Sequence, residues 1–313
     1  MRNNIRIVYM GTSKFASDIL EFLIDEGVNI VGVVSQPDKE KGRKKEKEFT
    51  HTKQVALAHG IEVFQPISIK NDYEWIEQKR PDIILTCAYG QIVPQAVLDI
   101  PTYKCINIHG SLLPKYRGAA PIQYAILNGE KETGITYMEM IKKMDAGCMY
   151  FKGIVNIDEN DTSDDVFDKL LLKVKETIVS FLDNFVEGKI LGEEQKEEEA
   201  TYTKMIQRDD ELINWEDSSE NIHNKVRAYY SSPCAYTLLN DVHIKILKGS
   251  VLSLASSALP GTIIDANKSG IFVATGNDVY KIDKLQVSGK KPMDSKDYIN
   301  GNKNLVGMRF YVR

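Results

Sequence analysis

No stretch of the sequence approaches 18 uninterrupted apolar residues, so no membrane-crossing helix is expected. A secretory signal needs a longer apolar region than residues 5–10 and a small-residue cleavage site, and neither is found. Cysteine is scarce. Cys87, Cys105, Cys148 and Cys234 form no CxxC pair and no ligand pattern with the five histidines. That argues against zinc or any other metal, and more strongly against a disulfide framework. Four small thiols in a reducing cytoplasm is the plain expectation. An excess of one charge is also missing. Forty Lys and Arg against 44 Asp and Glu give a net charge of −4, so nucleic acid could be held only by a local patch. Finally, Gly11 ends the first apolar run, but no G-x-G-x-x-G spacing comes after it. Without the later glycines the backbone cannot approach a pyrophosphate closely, which disfavours a nicotinamide dehydrogenase.

What is present is enough apolar residue, 42% of 313, to bury two cores. Short apolar runs at 5–10, 28–35, 61–64, 82–87 and 104–109 read as strands. Helical spacing at 15–26, 52–59, 70–80 and about 120–128 separates them. This alternation predicts an α/β fold, a doubly wound, mostly parallel, Rossmann-like sheet covered on both faces. Residues 36–51 read as a polar loop. Two further strands are expected in 133–157, parted by a loop at Asp145, and a long helix at 163–186.

The acidic run 193–199 reads as a solvated linker. Beyond it the pattern changes to one helix at 218–229 and short strands near 235–239, 243–250, 261–265, 270–275 and 278–286. Frequent turn signals between them suggest a small, OB-like β-barrel. The expected division is a catalytic domain at 1–188, a linker at 189–208 and a C-terminal barrel at 209–313.

The chemistry concentrates in residues 107–123. Asn107 and His109 alternate with Ile108 on a strand, so both side chains project from one face. They lie at the carboxyl end of that strand, where open α/β sheets bind ligands. Gly110 lets the chain leave sharply, and Pro114 and Pro121 stiffen the loop beyond it. An amide can donate to a carbonyl oxygen as it becomes an oxyanion. An imidazole can take a proton from an attacking amine near neutral pH. Asp145 is the candidate carboxylate partner, on a loop that Gly147 lets turn tightly. Taken alone it reads equally as a turn-forming aspartate. Ser111 as a covalent nucleophile is disfavoured, since it sits in no G-x-S-x-G elbow.

These motifs together resemble the folate-dependent formyltransferase family. The resemblance rests on the runs at 107–114 (NIHGSLLP) and 117–123 (RGAAPIQ), and on the Asp145-Ala-Gly147 triplet. It rests also on Phe15 and Leu20 in the first helix and on the runs at 36–38 (QPD), 88–94 (AYGQIVP) and 261–270 (GTIIDANKSG). Nearly the whole chain is covered. The resemblance implies transfer of a formyl group from 10-formyltetrahydrofolate to the α-amine of charged methionyl initiator tRNA, without a metal, by a monomer. It implies Asn107, His109 and Asp145 as the catalytic set. Ser111, Leu112, Leu113 and Pro114 match the loop that binds the folate. Tyr89, Gly90, Gln91 and Ile92 match a neighbouring pocket wall. Lys142 and Lys143 before the aspartate, and Cys148 after the glycine, depart from the family pattern.

Two basic segments could meet RNA. Residues 39–47 carry six basic side chains against two acids, and the resemblance makes Arg43 its key arginine, with Lys44 and Lys45 as phosphate contacts. Residues 281–313 carry eight Lys and Arg against three Asp, with Lys290 and Lys291 as backbone contacts. Alternatives within the same chemistry are formylation of another amine, on a nucleotide-linked sugar or glycinamide ribonucleotide, and hydrolysis of the formyl-folate. An inactive α/β scaffold that binds RNA is the non-enzymatic alternative.

Overall fold

The computed structural model describes residues 4–41 and 46–311. Two compact units emerge, each drawing on more than one stretch of the chain. The first comprises residues up to Gly118, Thr133–Val155 and Phe167–Tyr202. The second comprises Ala119–Glu132, Asn156–Val166 and everything from Thr203 onward.

The first unit opens with β1 (Ile7–Gly11), α1 (Lys14–Asp25) and β2 (Ile30–Val34). A hairpin, β3 (Lys39–Lys41) and β4 (Glu46–Glu48), comes next, where a loop was expected. Then come α2 (His51–Ala58), β5 (Val63–Phe64), α3 (Glu74–Lys79), β6 (Ile83–Cys87), α4 (Gln95–Leu98) and β7 (Lys104–His109). Short β8 (Arg117–Gly118) leads to α5 (Pro121–Leu127) of the second unit, and β9 (Glu132–Glu139), β10 (Met149–Asn156) and α6 (Ser163–Val186) complete the sequence up to β11 (Tyr202–Thr203).

The seven-stranded sheet has the order β10-β9-β7-β6-β1-β2-β5. From β7 to β5 neighbouring strands are parallel, and β9 is antiparallel to β7. Every residue of β1 and of β6 is buried, as a central strand with both faces covered requires. Ile19, Leu20 and Leu23 of α1 recur at helical spacing and are buried, and Ser13 caps the helix by accepting from Ala16 N–H. Gly11 is there for packing. A Cβ would stand 2.8 Å from Ala16 Cβ and 2.9 Å from the Cys87 carbonyl oxygen.

The second unit continues with α7 (Ser219–Ala228), then β12 (Tyr236–Leu239), β13 (Val242–Leu252), β14 (Ile263–Asn267), β15 (Gly270–Ala274), β16 (Val279–Val287), β17 (Met293–Asp294) and α8 (Ser295–Gly301). Its antiparallel sheet has the order β12-β13-β16-β15-β14, with β17 on β16. The last described residues bridge the two edges. Ile263 N–H donates to Met308 O and Phe310 N–H to Gly261 O at one edge, while Tyr311 N–H donates to Leu238 O at the other. Edge strands that would otherwise offer unpaired backbone groups are thereby joined, the closure expected of a small barrel. Trp215 is fully buried and stacks on Phe310, with Nε1–H donating to Thr237.

Candidate active site

The candidate catalytic and folate-binding groups belong to the first unit. His109 ends β7 and is buried. Its Nε2 lies 2.9 Å from the Tyr116 carbonyl oxygen, and its Nδ1 lies 3.8 Å from Asp145 Oδ2. A carbonyl only accepts, so Nε2 carries a proton and Nδ1 is the nitrogen that can take one up. The carboxylate is too far for a direct hydrogen bond but close enough to supply a counter-charge.

Asp145 is fixed on two sides. Its Oδ2 accepts from Gly118 N–H at 2.8 Å, and its own carbonyl accepts from Gln195 Nε2–H at 2.8 Å. Its φ is +49°, a left-handed conformation that costs a non-glycine residue about 1 kcal/mol or more. Ala88 (φ +46°) and Tyr116 (φ +61°) share that rarity. Gly147 plays a different part from the one expected. A Cβ there would collide with the Glu139 carbonyl, so the glycine permits close approach of the loop to β9.

Asn107 is half-buried on β7 and pairs in register with Thr86 of β6. Thr86 Oγ1–H donates to Asn107 Oδ1 at 2.9 Å. With the oxygen engaged, the amide nitrogen is the end left to donate. Sequence reasoning missed Thr86, although a lone hydroxyl in the apolar strand 83–87 is a signal that could have found it.

The loop 111–114 turns its side chains inward more than expected. Ser111 Oγ–H donates to Lys115 O at 2.7 Å, and Leu113 packs in a small core with Met138 and Met149. Pro114 is buried too, and Leu112 is half-buried. Tyr89 is likewise internal, in the core around Val8, Met10 and Cys105, and its hydroxyl meets no partner there. Burial lifts that phenol well above its ordinary range. Gln91 is a brace: its Oε1 accepts from Ile69 N–H at 2.8 Å and its Nε2–H donates to Pro66 O at 3.2 Å. What this loop turns outward is Gly90 and Ile92. Ile92 is 91% exposed and Ile67, on the loop Gln91 braces, is 92% exposed.

The acidic run is exposed along most of its length, as expected, but it is also tied to the first unit. Glu193 exchanges both backbone hydrogen bonds with Met149, at 2.8 Å each. Gln195 donates from Nε2 to both Asp145 O and Gly147 O, at 2.8 Å each. Its Oε1 accepts from Arg117 Nε–H at 3.0 Å. Arg117 is fully buried, and Nη1 also donates to Glu197 at 2.9 Å and Tyr202 at 3.0 Å. Lys143 first, and Arg117 next, hold the Glu197 carboxyl down to about 2. Burial opposes the Arg117 charge, yet Glu197 and Tyr202 outweigh it and the guanidinium keeps its proton more firmly than usual. Of the five glutamates in the run, Glu197 is the one that meets this buried cation, a pairing that composition alone cannot distinguish from solvation.

Arg43, Lys44 and Lys45 lie outside the described residues. Lys290 and Lys291 are exposed on a turn of the second unit whose Gly289 has φ +75°. Among the described residues no group of three His, Cys, Asp or Glu could hold a metal, all four cysteines are free, and no helix is long and apolar enough to cross a membrane.

Residues 4–182 match the family described as "Formyl transferase", and residues 205–303 match "Formyl transferase, C-terminal domain". The chain is 43% identical over 299 residues to the methionyl-tRNA formyltransferase of Bacillus subtilis (strain 168), covering 95% of this chain and 94% of that protein. It is 42% identical over 300 residues to the one from Alkaliphilus metalliredigens (strain QYMF), covering 95% and 96%. In fold it is similar to the solved methionyl-tRNA formyltransferase of Clostridium thermocellum, with TM-score 0.58 and 16% identity over 79% of this chain and 94% of that one. It is similar also to HypX of Aquifex aeolicus in complex with tetrahydrofolic acid, with TM-score 0.67 and 16% identity over 96% and 48%. Two family matches that span both units, and identity above 40% along almost the full length of the curated relatives, place the chain plainly: it belongs to the formyl transferase family.

Proposed function

We propose that the chain transfers a formyl group from 10-formyltetrahydrofolate to the α-amine of methionyl initiator tRNA, in the cytoplasm, with Asn107, His109 and Asp145 as its catalytic set. The observation that carries this reading is the buried His109, whose Nε2 is committed to Tyr116 O while Nδ1 faces Asp145 at 3.8 Å. An aminoacyl ester amine has a pKa at or below about 8, so a reactive neutral fraction is present near neutral pH. His109 Nδ1 takes the remaining proton as the new C–N bond forms, and Asp145 supplies the counter-charge. Asn107 Nδ2–H donates to the formyl oxygen as negative charge gathers on it, a contribution of about 3 kcal/mol for one such donor. That proton is then available to the departing nitrogen of the folate.

The residues present suit the folate cosubstrate. Its flat apolar rings need an apolar surface beside a polar donor, and Ile67 and Ile92 stand exposed on loops stitched together by Gln91. The inward-facing Ser111, Leu113 and Pro114 serve this site by fixing the loop's course rather than by side-chain contact. For RNA, the exposed Lys290 and Lys291 and the basic segment holding Arg43, Lys44 and Lys45 are the phosphate contacts of this reading.

Purified protein mixed with 10-formyltetrahydrofolate and methionyl initiator tRNA should yield N-formylmethionine on the RNA. His109→Ala should lower the yield rate at least a hundredfold with RNA binding kept. Formate release without formylated RNA would instead identify a hydrolase, and neither product with RNA still bound would identify an inactive binding protein.

A further inference from the structure

We infer that Gln195 is a positioning residue for the reaction: it clamps the Asp145 loop to a buried arginine and so fixes the carboxylate against His109. The inference rests on the proposed roles of His109 and Asp145. One side-chain amide makes three hydrogen bonds here. Both N–H donors are spent on the catalytic loop, to Asp145 O and Gly147 O, at 2.8 Å each. The oxygen accepts from Arg117 Nε–H at 3.0 Å.

The anchor behind the clamp is rigid. Arg117 is fully buried, and Glu197 and Tyr202 take two further bonds from it. Its own backbone N–H donates to Thr201 O at 2.8 Å. The same segment reaches the histidine as well. Thr201 Oγ1 accepts from Tyr116 N–H at 2.8 Å, and the Tyr116 carbonyl is the group that holds His109 Nε2. Residues 193–202 thus brace both partners of the 3.8 Å His109–Asp145 pair from outside it.

Asp145 needs this support. It sits at φ +49°, and its loop carries exposed Ile141, Lys142, Lys143 and Met144 with little burial to hold it. Only a surrounding structure that over-determines such a conformation keeps it populated. Positional error of about 1 Å at a reacting group can cost about a hundredfold in rate. Gln195 touches no reacting atom, so its effect should fall on turnover and not on substrate binding.

Gln195→Glu is the discriminating variant. It keeps the shape and the acceptor for Arg117 but removes both donors and sets a carboxylate oxygen against two carbonyls. We expect kcat for tRNA formylation to fall at least tenfold, with KM for both substrates within threefold and the melting temperature within a few degrees of wild type. Hydrogen exchange of peptides covering 141–149 should quicken at least tenfold in Gln195→Glu and in Gln195→Ala, with α6 unaffected. A Gln195→Glu enzyme with wild-type kcat, or one that loses only substrate affinity, overturns the inference. So does unchanged exchange at 141–149, a result readable even if the wild-type chain formylates nothing, which would count against the proposed function instead.

Discussion

Thr86 and Asn107 are register partners on adjacent parallel strands, and the hydroxyl of the first donates to the amide oxygen of the second at 2.9 Å. The contact decides which end of the amide faces the site. An asparagine can turn over about its last bond and present oxygen or nitrogen with equal ease. While the Thr86 hydroxyl donates to Asn107, it holds the amide oxygen on the neighbouring strand and leaves the nitrogen for the site, although Ile106 O at 3.3 Å and Met140 Sδ at 3.0 Å are also within reach of the same proton. In Thr86→Val the shape is kept and the donor lost. One neutral hydrogen bond contributes about 1 kcal/mol, so kcat should fall roughly five- to tenfold with KM unchanged, while Thr86→Ser keeps wild-type turnover. Equal kcat in the valine and serine variants would show that Asn107 is oriented by something else.

Gly147 makes a second expectation concrete. The Glu139 carbonyl lies where a Cβ would have to go, and Glu139 N–H donates to Cys148 O at 2.9 Å beside it. An added methyl must push the loop away from β9 or break that contact. Overpacking of this kind costs about 1–3 kcal/mol. Gly147→Ala should therefore lower the urea midpoint, and should lower turnover further, because Asp145 rides on the same loop. A variant with an unchanged midpoint would mean that the loop and β9 part freely, leaving the glycine without a packing role.

The periodic parts of this fold are legible in the residues because they are set by local burial. Strand 104–109 and helix 163–186 agree with the sequence pattern to the residue, and helix 218–229 agrees to within one at each end. The hairpin Lys39–Lys41 with Glu46–Glu48 is not legible, since alternating charges carry no apolar period to read. Nor is the role of residues 193–202. Gln195 and Glu197 find their partners about 50 and 80 positions back along the chain, at Asp145 and Arg117. Arg117 is visible in sequence only as part of a family run, and nothing local says that its guanidinium is buried. At the site, Asn107, His109 and Asp145 can be named from residue type and resemblance. What holds them is less legible: Thr86 shows only as a lone hydroxyl in an apolar strand, and the Tyr116 carbonyl and Gln195 act through tertiary contacts that spacing does not encode.

The buried thiols predict how the protein meets alkali. Cys87 is 1% exposed at the end of a central strand, and burial pushes its pKa up to about 12. In an unfolded chain the same thiol titrates near 8.5 to 9. Below that value both states hold the proton and the full stability is present. As pH rises toward 12 the unfolded chain releases a proton that the folded chain keeps, so stability falls by up to about 1.4 kcal/mol per pH unit for this one group. Cys105, also raised by burial, adds a loss of the same sign. Replacing Cys87 by alanine lowers stability at pH 8 through lost packing, but it removes one titrating group and should flatten the decline between pH 9.5 and 11. Urea unfolding of both proteins at pH 8, 9.5 and 10.5 gives the two slopes. Parallel curves would mean that the Cys87 thiol ionises as readily in the folded chain as in the unfolded one, which its burial in β6 forbids.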